Sequence, residues 1–214
     1  MPTTLTMRID SLKNAPDRAG RYWVTFSDGT RLGLYRQTVE DFGLYPGKEL
    51  EEGEFERLSE EAGKMSAKMR AVRIVSASSV SKRDLQQRLV RKGEDPEQAR
   101  QAVQWMENLH LVDDRATAEQ VVHSCIAKGY GLTRAKQALY EKRIPKAYWD
   151  EALEGYPDQT EKIQAFLRSR LGGDSDEKQV KRAIDALIRR GHSYGTIKKA
   201  LEELSFDCED VFED

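Results

Sequence analysis

Cysteine is scarce. Cys125 and Cys208 are the two in 214 residues, too few for a disulfide framework. Cys125 falls on an apolar helical face, so both are expected to be reduced thiols of a cytosolic protein. Histidine is nearly as rare. His110, His123 and His192 have no cysteine or carboxylate at metal-ligand spacing, so no metal and no cofactor is expected. No apolar run approaches the roughly 18 residues of a membrane span, and the N-terminus has no apolar signal core. The expectation is a protein without membrane attachment. Glycine-rich phosphate loops after a strand, nucleophile elbows and metal-binding H-E-x-x-H helices are also missing. No residue is nominated as catalytic, and an enzyme is not expected.

What is present is charge. Aspartate, glutamate, lysine and arginine make up 34% of the chain, and the formal net charge is −2. That balance argues against a simple high-affinity duplex binder, but the distribution is uneven. Residues 1–63 and 205–214 are acidic, whereas 64–110 and 159–204 carry an excess of lysine and arginine.

The chain also repeats itself. Moving 129–153 back by fifty positions sets Ala135, Leu139, Lys142, Trp149, Ala152 and Leu153 on Leu85, Leu89, Lys92, Ala99, Ala102 and Val103. Moving its first half forward by sixty-two sets Gly129, Leu132, Ala135, Ala138 and Leu139 on Gly191, Tyr194, Ile197, Ala200 and Leu201. A repeated helical unit speaks for a stacked array and for binding. The expected architecture is mostly α: three tandem three-helix bundles in an elongated curved array, behind a small β-hairpin-containing segment. The expected bounds are 1–62 for the β-rich segment, 63–111, 112–157 and 158–206 for the helical units, and 207–214 for an acidic tail.

In the first segment Leu5-Thr6-Met7-Arg8-Ile9 alternates as a half-buried strand does. Tyr22, Val24 and Phe26 share one face of a second strand and Trp23 the other, with Trp23 expected to be exposed or to cover the sheet's second face. Asp28-Gly29 predicts a two-residue turn with positive φ at both positions, leading into Arg31-Leu32-Gly33-Leu34. Three strands are expected, then a short acidic helix over 50–58 and a separate helix over 65–77 with Met69, Val72 and Ser76 inward. Ser81, Asp95, Asp113-Asp114 and Ser193 read as helix caps, with Pro96 at a first helical position that needs no N–H. Asp174 or Ser175 is expected to cap another helix. Leu109 is expected inside, Leu111 and Val112 at a seam, and Trp149 in a core. The internal match and the helix count disagree on the phase of the last unit.

Basic residues recur on these helices: Lys82, Arg83, Arg88, Arg91, Lys92 and Arg100, then Arg134, Lys136, Lys142 and Arg143, then Lys181, Arg182, Arg189, Arg190, Lys198 and Lys199. Each run alone is a solvated face. Spaced along an array, they suit a partner that itself repeats, such as a phosphate backbone or a protein filament. A helix pair around Gly131 or Gly191 has the outline of a helix-turn-helix but lacks a base-reading set. A plain nucleic-acid-binding helical protein and a protein–protein adaptor both remain open on these residues.

Several spaced fragments resemble the RecX family of bacterial RecA regulators: Leu111-Val112-Asp113-Asp114-Arg115, Lys128-Gly129-Tyr130-Gly131 followed by 136–139, and Arg189-Arg190-Gly191-His192-Ser193 before Ile197. The resemblance covers about residues 60–204, and Gly43-Leu44 and Gly47 look like that family's leading segment. It implies a cytoplasmic protein of three tandem three-helix repeats that binds in the groove of the RecA–single-stranded-DNA filament and damps strand exchange, ATPase and co-protease activity; a monomer is expected. The filament- and DNA-binding candidates are then Lys82, Arg83, Arg88, Arg91, Lys92, Arg134, Lys136, Lys142, Arg143, Arg189, Arg190, Lys198 and Lys199. Two positions depart from that family's pattern, His192 standing where phenylalanine is usual and Glu94 where an aromatic residue is common, and the final segment departs by ending in acid.

Overall fold

The computed structural model describes residues 6–172 and 176–204. They form two compact units, 1–112 and 113–214. The expected caps Asp174 and Ser175, the start of the first strand at Leu5, and the acidic tail 207–214 lie outside the described residues.

The first unit opens with a four-stranded antiparallel sheet in the order β3-β2-β1-β4. Its strands are β1 (Thr6–Leu12), β2 (Arg21–Phe26), β3 (Arg31–Tyr35) and β4 (Glu49–Glu51). A short helix, α1 (Arg36–Asp41), follows β3. The fourth strand corrects the expectation of three. Glu49–Glu51 is too acidic to look like a strand, yet Leu50 pairs with Met7 and is fully buried. The β2–β3 turn also differs from expectation. Phe26 N–H donates to Thr30 O and Gly29 N–H to Phe26 O, so three residues make the loop. Among them Gly29 alone takes positive φ. Asp28 instead uses its carboxylate, which accepts from the Thr30 backbone and hydroxyl at 2.8 and 2.6 Å.

Where two helices were expected there is one, α2 (Glu52–Ala77). Its N-terminal part closes the sheet through Leu58 and Ala62, with Phe55 set edge-on to Phe26 at 5.0 Å. Its C-terminal part gives Ala67 and Ala71 to a helical core with α3 (Lys82–Arg91) and α4 (Pro96–Asn108). One helix serving two cores has no single apolar stripe. The inward residues are therefore alanines, while Met69 and Val72 are half-buried and Ser76 is exposed. Val112 joins this core, but Leu109 and Leu111 are exposed, contrary to expectation.

In the second unit α5 (Asp114–Ala127), α6 (Leu132–Glu141) and α7 (Trp149–Leu153) enclose one apolar cluster. A second cluster is built from α8 (Thr160–Arg170), α9 (Glu177–Arg189) and α10 (Tyr194–Glu203). The residues matched by the internal repeat mark the same depth in each cluster. Leu85, Ala135 and Ile197 are fully buried, as are Leu89, Leu139 and Leu201. Trp149 is half-buried against its cluster and donates its indole N–H to Ile144 O at 3.0 Å.

The expected caps form. Ser81 Oγ accepts from Asp84 N, Asp95 from Glu97 and Gln98 N, Asp113 from Arg115 and Ala116 N, and Ser193 from Thr196 N. At α9 the cap is Asp176, exchanging side-chain-to-backbone bonds with Gln179.

Candidate nucleic-acid interface

On α3 the buried Leu85 and Leu89 fix the helix's orientation and turn the basic residues outward. They do not share one electrostatic state. Lys82 Nζ is 2.7 Å from Glu107 and Arg88 is 2.9 Å from Asp84, whose own side chain is buried. Arg83, Arg91 and Lys92 are exposed and make no ion pair among the described residues. Arg100 is held by Glu97, whose carboxyl that hydrogen bond lowers to about 2.

The structure adds two arginines that the sequence reading missed. Arg70 and Arg73 of α2 meet Arg88 and Lys92 around Ile74, Ala77 and Ser78, lining a groove of about 510 Å³. Most of its charge is internally consumed. Arg70 Nε is 2.7 Å from Glu94 Oε1, which also accepts from Ser66 Oγ at 3.0 Å. Arg73 donates to Ala19 O at 3.1 Å and Tyr35 Oη at 2.7 Å, tying the loop after β1 to α2. Glu94 is buried with a partner and a hydrogen bond, as a buried carboxylate must be. This groove is a structural joint first.

Trp23 is half-buried, not exposed. Its indole N–H donates to Asp17 Oδ2 at 3.2 Å, and the Arg21 and Arg31 guanidiniums lie 4.9 and 5.4 Å from its ring. It covers the second face of the sheet. Asp17, bonded by the Arg21 backbone and side chain, is held well below the usual carboxylate range.

In the second unit α6 begins beside the loop that starts α10. Gly131 N–H donates to Arg190 O at 2.9 Å. A Cβ at Gly131 would lie 2.1 Å from Gly191 O, and one at Gly191 2.3 Å from Arg134 N. The backbones cross with no room for a side chain. His192 is buried here, with Nε2 3.0 Å from Gly129 O, and its burial lowers its pKa below the ordinary 6.5. Tyr156 anchors the same loop by donating to Tyr130 O at 2.7 Å, and burial pushes its phenol up to about 12. Burial also raises the Cys125 thiol, which favours the protonated form.

The remaining candidates divide in the same way. Arg134 pairs with Glu141 at 3.1 Å, and Lys136 is exposed. Lys142 and Arg143 are half-buried where α6 ends, Arg143 at φ 55°. Lys198 and Lys199 are exposed on α10, with Lys199 4.0 Å from Glu203.

Arg189 and Arg190 belong to a different arrangement. Along α9, Arg182, Ala186 and Arg189 follow one stripe, and with Phe166 and Arg170 of α8 they line a groove of about 470 Å³. The Arg170 and Arg190 guanidiniums lie 5.4 and 4.6 Å from the Phe166 ring. None of these four arginines makes an ion pair among the described residues. Phe166 and Arg170 were not singled out from the sequence, although an aromatic four residues before an arginine on one helix is a readable signal.

Among the described residues no three or more histidine, cysteine or acidic side chains are grouped to hold a metal ion. No described helix is long and apolar enough to cross a membrane.

Residues 113–153 match the second three-helix domain of RecX. The regulatory protein RecX of Clostridioides difficile (strain 630) is 25% identical over 211 residues, covering 95% of this chain and 98% of that protein. The regulatory protein RecX of Chlorobaculum tepidum is 30% identical over 146 residues, 67% of this chain and 91% of that protein. A crystal structure of a regulatory protein RecX superposes with a TM-score of 0.58 at 22% identity, over 90% of this chain and 99% of the other. RecX from Lactobacillus salivarius gives 0.56, also at 22% identity, over 66% and 96%.

Proposed function

The chain belongs to the RecX family of regulatory proteins, and from that premise we infer that it is a non-enzymatic modulator of the RecA recombinase, an inhibitor that binds the RecA–single-stranded-DNA filament. One observation supports the reading above the others. Exposed basic side chains recur on separate helical clusters, at Arg83 and Arg91 of α3, Lys136 of α6, Arg182 and Arg189 of α9, and Lys198 and Lys199 of α10. Recurring basic positions of this kind suit a ligand that itself repeats. The net charge of −2 favours a mixed protein–nucleic-acid target over DNA alone, because a stand-alone DNA binder gains from uniform positive potential. In this reading the protein works in the cytoplasm as a monomer, and its helical units follow the bounds 63–111, 112–157 and 158–206.

The test is DNA-dependent ATP hydrolysis by the recombinase, titrated with this protein. Inhibition that saturates at a fixed ratio to recombinase supports filament binding. Failure to change ATP hydrolysis or filament assembly at any ratio overturns it.

A further inference from the structure

We propose that the groove between α8 and α9 is the surface that holds the phosphodiester backbone of single-stranded nucleic acid, with Arg182 and Arg189 as phosphate ligands and Phe166 as the plate that presents Arg170 and Arg190. The inference rests on the reading that the protein works on single-stranded DNA, and it assigns that contact to one groove among several basic surfaces.

Most of the charge in the basic groove between α2 and α3 is already engaged. In the α2–α3 groove Arg70 is paired with buried Glu94, Arg88 with buried Asp84, and Arg73 is spent on Ala19 O and Tyr35 Oη. A phosphate entering there competes with existing partners and strands buried carboxylates, which is costly. In the α8–α9 groove Arg170, Arg182, Arg189 and Arg190 have no carboxylate to lose among the described residues. Charge that is unpaired, clustered and beside a concave wall attracts an anion.

Geometry narrows the anion. A guanidinium lying over an aromatic ring is fixed by its face, which leaves its N–H edge free for a bidentate oxyanion. Phe166 does this for Arg190 at 4.6 Å and Arg170 at 5.4 Å. Arg182 and Arg189 are seven residues apart on one helical stripe, about 10 Å along the axis. At that spacing the two guanidiniums can each hold a separate phosphate, which suits a chain of anions. Between the two arginines the wall is Ala186 and Ala183, small side chains that let a backbone approach closely. Phe166 already has two guanidiniums within 5.4 Å of its ring centroid, which leaves the ring less available for stacking a base. The groove is built to follow phosphates without reading sequence.

The experiment uses full-length protein and a fluorescein-labelled oligothymidylate of twenty nucleotides, with binding read by anisotropy across a salt series. Arg182→Ala with Arg189→Ala is expected to weaken binding by roughly tenfold or more near 0.1 M salt. The same pair should flatten the slope of log affinity against log salt by about 1.4, the release expected for two single-strand phosphates. Lys13→Ala with Arg18→Ala, both exposed on the loop after β1, removes the same charge and should change both readings far less. Phe166→Leu keeps the net charge and an apolar side chain, and should still weaken binding several-fold. Retained helicity by circular dichroism qualifies every variant. An unchanged salt slope in the α9 pair, or an equal loss from the Lys13 and Arg18 pair, overturns the assignment. So does equal affinity for a polyglutamate of the same length that is lost in the α9 variants, which makes the groove a site for an acidic protein segment. Each of these failures leaves inhibition of the recombinase to be judged by its own titration, so the groove and the regulatory reading fail separately.

Discussion

His192 sits in the tightest part of the second unit, and its chemistry follows from that. Burial disfavours the imidazolium, while the bond to Gly129 O partly opposes the shift and nearby Arg190 adds to it. With the folded pKa below the unfolded 6.5, the unfolded chain binds more protons at mildly acidic pH. The stability His192 contributes is therefore complete above about 6.5 and is lost as the pH falls toward the depressed folded value. Urea titrations across pH 7.5 to 5 are expected to show this decline in the wild type and to lose it in His192→Phe. An identical decline in both would assign it to other groups. Gly131 and Gly191 make the second residue-scale expectation. Gly131→Ala drives a methyl to within 2.1 Å of a backbone oxygen that no rotamer can move aside. The cost should be at least the usual overpacking penalty of about 1–3 kcal/mol, read as a lowered urea midpoint at unchanged slope. Sequence alone identified both glycines as helix breaks. It could not show that they face each other, because the two are sixty residues apart and only the packing of α6 against the α10 loop joins them.

At the scale of elements, helix starts were the most legible feature. Asp113 is an example, because a cap needs only a short acceptor one position before an apolar-periodic run. Its carboxylate accepts from Arg115 and Ala116 N at 2.8 and 3.2 Å. Asp113→Ala should cost about 0.5–2 kcal/mol, and magnesium should leave the melting temperature of either protein unchanged. A tight stoichiometric magnesium site by calorimetry would replace the cap with a ligand role. The elements that escaped sequence reading share one cause. β4 and α2 run on without a break, acidic as far as Glu61 and basic from Lys64, and their two ends serve different cores, so neither alternation nor a 3.6-residue stripe survives across them. Gly63 lies inside α2. Here the Gln98 side chain of α4 occupies the space a Cβ would take. Glu94 and His192, the two departures from the family pattern, proved to be buried polar groups, each with its own partner. An apolar-to-polar exchange in a core is tolerated only on that condition.

For the whole molecule the decisive quantity is where charge of each sign lies. The basic candidates were legible as residue types. Which of them are neutralised was not, because Arg70–Glu94 joins α2 to the α3–α4 loop and Phe166 gathers arginines from α8 and the end of α9. The acidic stretch 205–214 lies outside the described residues, yet its charge acts at a distance whatever its conformation. Neutralising Glu209→Gln, Asp210→Asn and Glu213→Gln moves the formal net charge from −2 by three units to +1. Acidic charge on the same chain opposes the approach of phosphates within a Debye length of about 10 Å at 0.1 M salt. The variant is therefore expected to bind oligothymidylate as well as the wild type or more tightly. Any gain should be largest near 10 mM salt, where the Debye length is about 30 Å, and should fade as salt rises. The recombinase should be inhibited at equal or lower concentration of the variant. Weaker binding by a variant that melts like its parent would mean the stretch supplies contacts of its own and does not act as a repulsive neighbour of the basic helices.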